Sequence, residues 1–176
     1  MSTAGMTTML RHFLAILILP FTVVVLVPRW LLASFASVDT RWPIDSSAAW
    51  IPRLLGGAVF LCGFALFCWC VLLFARVGKG TLAPWDPTRK LVAVGPYRFV
   101  RNPMISGVAT MLVGEALFWG SWRVALWTAV FILINHFYFV VSEEPGMESR
   151  FGESYRTYTA NVPRWVPRVR PWTEAE

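Results

Sequence analysis

The sequence predicts an all-α, polytopic membrane protein, with about four transmembrane helices followed by a cytoplasmic amphipathic helix near the C-terminus. Three observations carry that reading. Of the 176 residues, 56% are hydrophobic and 15% charged, with ten Trp and a mean hydropathy of +0.55, outside the range of ordinary soluble domains. Apolar runs long enough to approach the thickness of a bilayer recur along the chain, and the basic residues collect in two polar blocks. A span takes about 20 residues, so the expectation is one integral membrane domain over 1–176 with little chain left for a separate soluble unit.

The first apolar run starts at Phe13 and continues through Pro20 to Val27, followed by Pro28, Arg29 and Trp30. A signal peptide is one reading, because Arg11 precedes the run and Ser34-Phe35-Ala36 imitates a cleavage site. Against it, the run reaches or exceeds the roughly 15 residues of a signal core, and Trp30 with Arg29 fits an interfacial anchor. Pro20 is expected to kink this helix rather than end it. Between Ala36 and Pro52 the charges Asp39, Arg41, Asp45 and Arg53 balance and Trp42 and Trp50 suit a headgroup layer, which reads as an external connection. The second run, Leu54 to Ala75, is uncharged and carries Gly56, Gly57 and Gly63, small residues that let another helix approach closely.

Glycines and prolines from Gly78 to Pro87 exclude a long helix there. Pro103 fits the first turn of a third span, Met104 to about Trp119, because its missing N–H is not needed at that position. Gly120-Ser121 is a tight turn, and a fourth span runs from Trp122 to Val141, completing a helical hairpin. Pro145 is expected to kink the chain where it leaves the bilayer. Met147, Phe151, Tyr155 and Tyr158 then recur at helical spacing, one amphipathic helix lying on the membrane or covering the middle loop. Val162 to Arg168 reads as an extended, proline-stiffened strap.

Basic residues set the orientation. Arg76, Lys79, Arg89, Lys90, Arg98 and Arg101 fall in the middle loop, Arg150, Arg156, Arg164, Arg168 and Arg170 in the tail, and Arg11 near the start. All belong on the cytoplasmic face of an inner or plasma membrane, which puts both termini inside. The net charge of +6 is thereby explained by lipid contact and gives no support to a nucleic-acid partner. Cys62, Cys68 and Cys70 share one apolar run, and His12 and His136 are the only histidines, so neither disulfides nor a metal site is expected.

Taken singly, the polar residues have modest readings. Tyr97 fits an interfacial aromatic, Arg98 and Arg101 fit phosphate contacts, and Asn102 fits an N-cap whose side chain accepts from the third helix. Glu143 fits a solvated helix end. Glu115 is different, because an ionisable residue within a span usually has a partner or lines a pathway. Asn135 and His136 are its expected partners across the hairpin, with Glu115 lining a cavity or pinning the two helices.

Three pieces together resemble a known family: Gly95-Pro96-Tyr97-Arg98-Phe99-Val100-Arg101-Asn102-Pro103, Glu143-Glu144, and Phe151-Gly152-Glu153-Ser154-Tyr155 through Val162-Pro163-Arg164. With one hairpin between the first two, they resemble the isoprenylcysteine carboxyl methyltransferase and phospholipid methyltransferase group of integral membrane enzymes. The resemblance covers about residues 78–168, and the first two helices match only in being helices. It divides the chain into N-terminal transmembrane helices (1–75), a methyltransferase-like core (76–168) and a tail (169–176).

The resemblance implies S-adenosylmethionine as methyl donor, held at the cytoplasmic membrane edge between middle loop and tail, with a lipophilic small-molecule or lipid acceptor entering from the bilayer. Donor contacts are implied at Arg89, Lys90, Leu91, Val92, Tyr97, Asn102, Pro103, Met104, Ile105 and Glu143. Members commonly carry His where Asn102 stands and Tyr where Ile105 stands, so no titrating group is available at the first and no hydroxyl at the second. The carboxyl methyltransferases place an Arg where this chain has Phe139, which argues against a prenylcysteine carboxylate as acceptor; Phe139 joins Glu115, Asn135 and His136 as the residues expected to line a substrate cavity. Methyl transfer from a sulfonium depends on positioning and exclusion of water, so no catalytic acid or base is singled out. Two other functions fit the same residues: a non-catalytic binding or scaffold protein that keeps the fold, and a small transporter or proton path through Glu115, Asn135 and His136. The chain is short for a transporter and has no evident inverted repeat.

Overall fold

The computed structural model describes residues 18–34, 42–43, 48–77, 91 and 93–173. Arg11, His12, Asp39, Arg41, Asp45, Lys79, Arg89, Lys90 and Val92 lie outside them. Six helices are described: α1 (Ile18–Ser34), α2 (Trp50–Val77), α3 (Pro103–Trp119), α4 (Trp122–Tyr138), α5 (Glu144–Phe151) and α6 (Glu153–Asn161). No strand element forms among the described residues. Helix α2 and the continuous helix Trp122–Phe151 are long and apolar enough to cross a bilayer, while α1 and α3 are shorter apolar helices. At 17 residues, α3 sits at the lower end of the spanning range of about 17–25.

The seam between α2 and α3 is built on glycine. A Cβ at Gly56 would lie 2.6 Å from the Gly114 carbonyl oxygen, and one at Gly63 would lie 2.7 Å from that of Gly107. The two pairs run antiparallel, and each helix presents its glycines seven residues apart, so one seam faces the partner over two turns. Gly57, one residue on, faces open space. The close approach anticipated from sequence therefore belongs to Gly56 and Gly63 alone.

Four helices meet in one core, where Val24 of α1 joins Phe67 of α2, Val108, Met111 and Leu112 of α3, and Phe131 of α4. The Trp127 indole N–H donates to the Val23 carbonyl at 3.0 Å, tying α1 to α4. Within α1 a π turn, Thr22–Leu26, follows Pro20 directly, a disturbance of the kind expected where proline removes a backbone donor. At the other end of α3, Gly120 adopts the left-handed conformation (φ 59°) and closes the hairpin. The Trp42 amide donates to the Gly120 carbonyl at 2.7 Å, and its ring packs at a tilt of 54° against Trp122, 5.5 Å between centroids.

Beyond α4 the chain passes through a second π turn, Phe139–Glu143, into α5, with Pro145 in the first turn. Pro145 cannot donate to a carbonyl of the preceding turn of this continuous helix, and the π turn just before it absorbs the change of register. The tail helix expected to be continuous is broken at Gly152 (φ 56°, ψ −127°), a conformation that residues with a Cβ avoid. Its apolar face survives the break: Tyr155 and Tyr158 are buried with Val162 and Trp172, and Met147, Phe151, Leu91 and Ala93 pack against them.

Candidate functional site

The middle loop and the tail are joined by backbone hydrogen bonds. After the 3-10 turn Gly95–Arg98, Arg101 donates its amide to the Pro163 carbonyl (3.0 Å), and the amides of Arg168 and Trp172 donate to Phe99 and Arg98 (both 2.9 Å). Side chains repeat the pattern. Arg98 Nε donates to the Trp172 carbonyl at 2.6 Å, and Arg101 donates to the carbonyls of Val162 (2.6 Å) and Thr159 (3.1 Å). The Tyr158 hydroxyl donates to the Tyr97 carbonyl at 2.7 Å. Both arginines therefore bind the chain's own carbonyls, which corrects their reading as phosphate contacts: an extended strap leaves backbone acceptors unpaired, and these guanidiniums satisfy them.

The consecutive glutamates do different things. Glu144 accepts two hydrogen bonds from Arg164 (both 2.7 Å) and one from Arg101 at 2.9 Å, so its carboxylate is fully engaged between loop and tail. The bond to Glu144 in turn raises the Arg164 guanidinium above its usual range. The Glu143 carboxylate makes no hydrogen bond or ion pair with any described residue. Its carboxylate nevertheless lies close enough to Tyr97 and Tyr155 to help raise both phenols. Burial is the first cause in each case, pushing Tyr97 well above its ordinary value and Tyr155 up to about 12. Both remain hydrogen-bond donors at neutral pH.

Of the residues implied as donor contacts, the structure brings Leu91, Tyr97, Asn102 and Glu143 to one end of the bundle. The Arg101–Glu144 ion pair joins the immediate neighbours of Asn102 and Glu143. Asn102 occupies the N-cap of α3, but its side chain makes no capping bond; Ser106 bonds to the Asn102 carbonyl through both N–H and hydroxyl, each at 3.0 Å. The expected side-chain cap is thus corrected, and the Asn102 side-chain amide meets no partner among the described residues. Leu91 packs beneath α6. Tyr97 is buried against Cys70, Leu66 and Met104, Pro103 is fully buried, and Met104 and Ile105 pack on the main core. Arg89, Lys90 and Val92 lie outside the described residues.

The residues expected to share a cavity separate into two groups. His136 Nδ1 accepts from the Trp165 indole N–H at 3.2 Å, and Phe139, 2% exposed, stacks on Trp165 at 5.7 Å, both at the loop-and-tail end. Asn135 donates to the Phe131 carbonyl of its own helix at 2.8 Å. Glu115 lies toward the opposite, hairpin-turn end of α3, so the expected pairing of Glu115 with Asn135 and His136 does not form. Sequence reasoning missed Glu144, Arg164 and Tyr155 as members of the site. The adjacency of two glutamates to a proline was the available signal, but nothing in it says which of the two is engaged.

Among known proteins, the chain is 35% identical over 57 residues to an uncharacterized protein of Haemophilus influenzae, an overlap of 32% of this chain and 81% of that protein. A sequence model described as phospholipid methyltransferase matches residues 51–154. The match starts in the first turn of α2, earlier than the motifs alone indicated, and ends in α6. With most of the chain inside that match, from the glycine seam to both glutamates, the protein belongs to the phospholipid methyltransferase family, a family of membrane methyltransferases.

Proposed function

We propose that the protein is an S-adenosylmethionine-dependent methyltransferase that modifies a small lipophilic or lipid acceptor at the cytoplasmic edge of the membrane. One observation carries the reading: Glu143 presents a carboxylate with no partner among the described residues, beside a glutamate whose own carboxylate is fully used. A half-buried carboxylate with no partner of its own calls for a cation, and an amino-acid ammonium group supplies one. Asn102, whose side-chain amide has no partner among the described residues, and the turn-rich backbone from Ala93 to Tyr97 would hold the remaining polar groups of the same ligand. When bound, S-adenosylmethionine supplies a methyl group on a sulfonium with a neutral leaving group. The protein's part is to fix geometry and keep water out, which suits a site latched by its own tail.

The basic middle loop and tail argue for a multi-pass topology in which α1, α2, α3 and α4 all cross an inner or plasma membrane, with both termini and the donor site cytoplasmic. Phe139, buried on Trp165, offers no cation for a substrate carboxylate, which favours an acceptor without one.

The test is a titration of purified full-length protein in detergent with S-adenosylhomocysteine. Saturable binding by the wild type, lost at least tenfold in Glu143→Ala, is the expected result. No binding by the wild type refutes the donor site, and equal binding by the variant refutes the role of Glu143. Binding with no turnover of any amphiphile would leave a scaffold protein as the reading.

A further inference from the structure

Far from the loop and tail, a cavity of about 300 Å³ opens between α2 and α3, lined by Gly56, Gly57, Phe60, Gly114, Glu115 and Phe118 with Leu61 and Trp119 at its rim. Leu61 is 65% exposed and Trp119 49%, so the cavity opens on the outer, lipid-facing side of the helix pair. Among the described residues, Glu115 is the only ionisable one in its wall. One carboxylate oxygen, Oε2, is buried and meets no hydrogen-bond donor among the described residues. A buried carboxyl oxygen without a donor is costly, and none of the described helices supplies the missing group.

We infer that this cavity binds an amphiphile with a protonated amine head, the ammonium on Glu115 and the alkyl chain along Gly57, Phe60 and Leu61. Charge complementarity selects the head: an ammonium brings both the positive charge and the N–H donors that the carboxylate lacks, whereas a phosphate or carboxylate head would be repelled. The size, at the lower end of small-molecule sites, suits a head group with the first part of a single chain. Glu115 is twelve residues from Pro103, roughly 18 Å along α3, so the site is separate from the loop-and-tail end and does not depend on methyl-donor binding.

Native mass spectrometry of the full-length protein in detergent, with dodecylamine, dodecanol and dodecanoic acid as probes, tests the inference. One dodecylamine should bind per chain at least tenfold more tightly than either other probe. Glu115→Gln should weaken it at least tenfold. Gly57→Leu should block it, because a Cβ there meets nothing within 4 Å and the added side chain has the cavity to fill without disturbing the helix seam. Absence of amine binding by the wild type, equal binding of amine and alcohol, or undiminished binding by Glu115→Gln overturns the assignment. If Glu115→Gln does not fold, as judged by helical circular dichroism and monodisperse elution, the wild-type preference and Gly57→Leu decide.

Discussion

Alanine at Gly56 and alanine at Gly57 are chemically the same change on adjacent residues, yet the seam gives them opposite outcomes. At Gly56 the new methyl would lie 2.5 Å from the Phe118 backbone nitrogen and 2.6 Å from the Gly114 carbonyl oxygen. Those are backbone atoms of a packed helix and cannot swing aside as a side chain would. Restoring ordinary contact requires the two helices to part by about 1 Å, which forfeits a quarter to a half of the dispersion attraction across the gap. Overpacking of this kind costs about 1–3 kcal/mol, and the lack of a yielding side chain places Gly56→Ala near the upper limit. Gly57→Ala meets nothing within 4 Å and should be neutral or stabilised by up to about 1 kcal/mol, the helix propensity gained on replacing glycine. Reversible unfolding in mixed micelles by titration with a denaturing detergent reads both directly. Equal stability of the two variants would refute the assignment of Gly56 to the seam.

Three other perturbations follow from the loop and tail. Glu144→Gln leaves the Arg101 and Arg164 guanidiniums without their shared anion; because both pairs keep some water, the loss should be about 2–3 kcal/mol, below the ~3–5 of a buried pair, and should appear as faster hydrogen exchange of the amides of Arg101, Arg168 and Trp172. Tyr158→Phe strips the hydroxyl bonded to the buried Tyr97 carbonyl and should destabilise the tail by about 1–2 kcal/mol, measured as earlier thermal release of α6 to limited proteolysis. Gly152→Ala forces a side chain into a φ of 56° with ψ at −127° and should cost about 1–3 kcal/mol in the same assay; an unchanged melting profile would show that the break between α5 and α6 is not held by glycine.

The parts of this molecule that were legible in its sequence are those marked by a change of solvent preference or by backbone chemistry. The ends of α3, the Gly120 turn and the apolar face shared by Met147, Phe151, Tyr155 and Tyr158 all lie where residue type changes abruptly. Which glycine faces the partner was hidden for a physical reason: in a membrane helix lipid and protein are both apolar, so α2 has no polar face to reveal its orientation. The same limit concealed the division of labour between Glu143 and Glu144, which is set by the π turn that ends between them. The Glu115 pairing failed on simpler grounds. A hairpin turning at Gly120 puts position 115 roughly level with Leu126, several turns away from Asn135 and His136. Arg98 and Arg101 were misread because their partners are carbonyls more than 50 residues later in the chain, and a single sequence carries no trace of so distant a pairing.

The strap over the middle loop also imposes an order on biosynthesis. The loop from Arg98 to Arg101 leaves the ribosome with its carbonyls and guanidiniums unfilled, and the groups that fill them extend to Trp172. At roughly 5–20 residues per second, the intervening stretch takes about 4–14 s to make. For that interval the hairpin can already pack while the loop beside it waits open. A chain stalled before Val162 would therefore hold its helices and both glutamates while Arg98 and Arg101 still lack their carbonyl partners, so the loop is closed only when synthesis has passed Trp172.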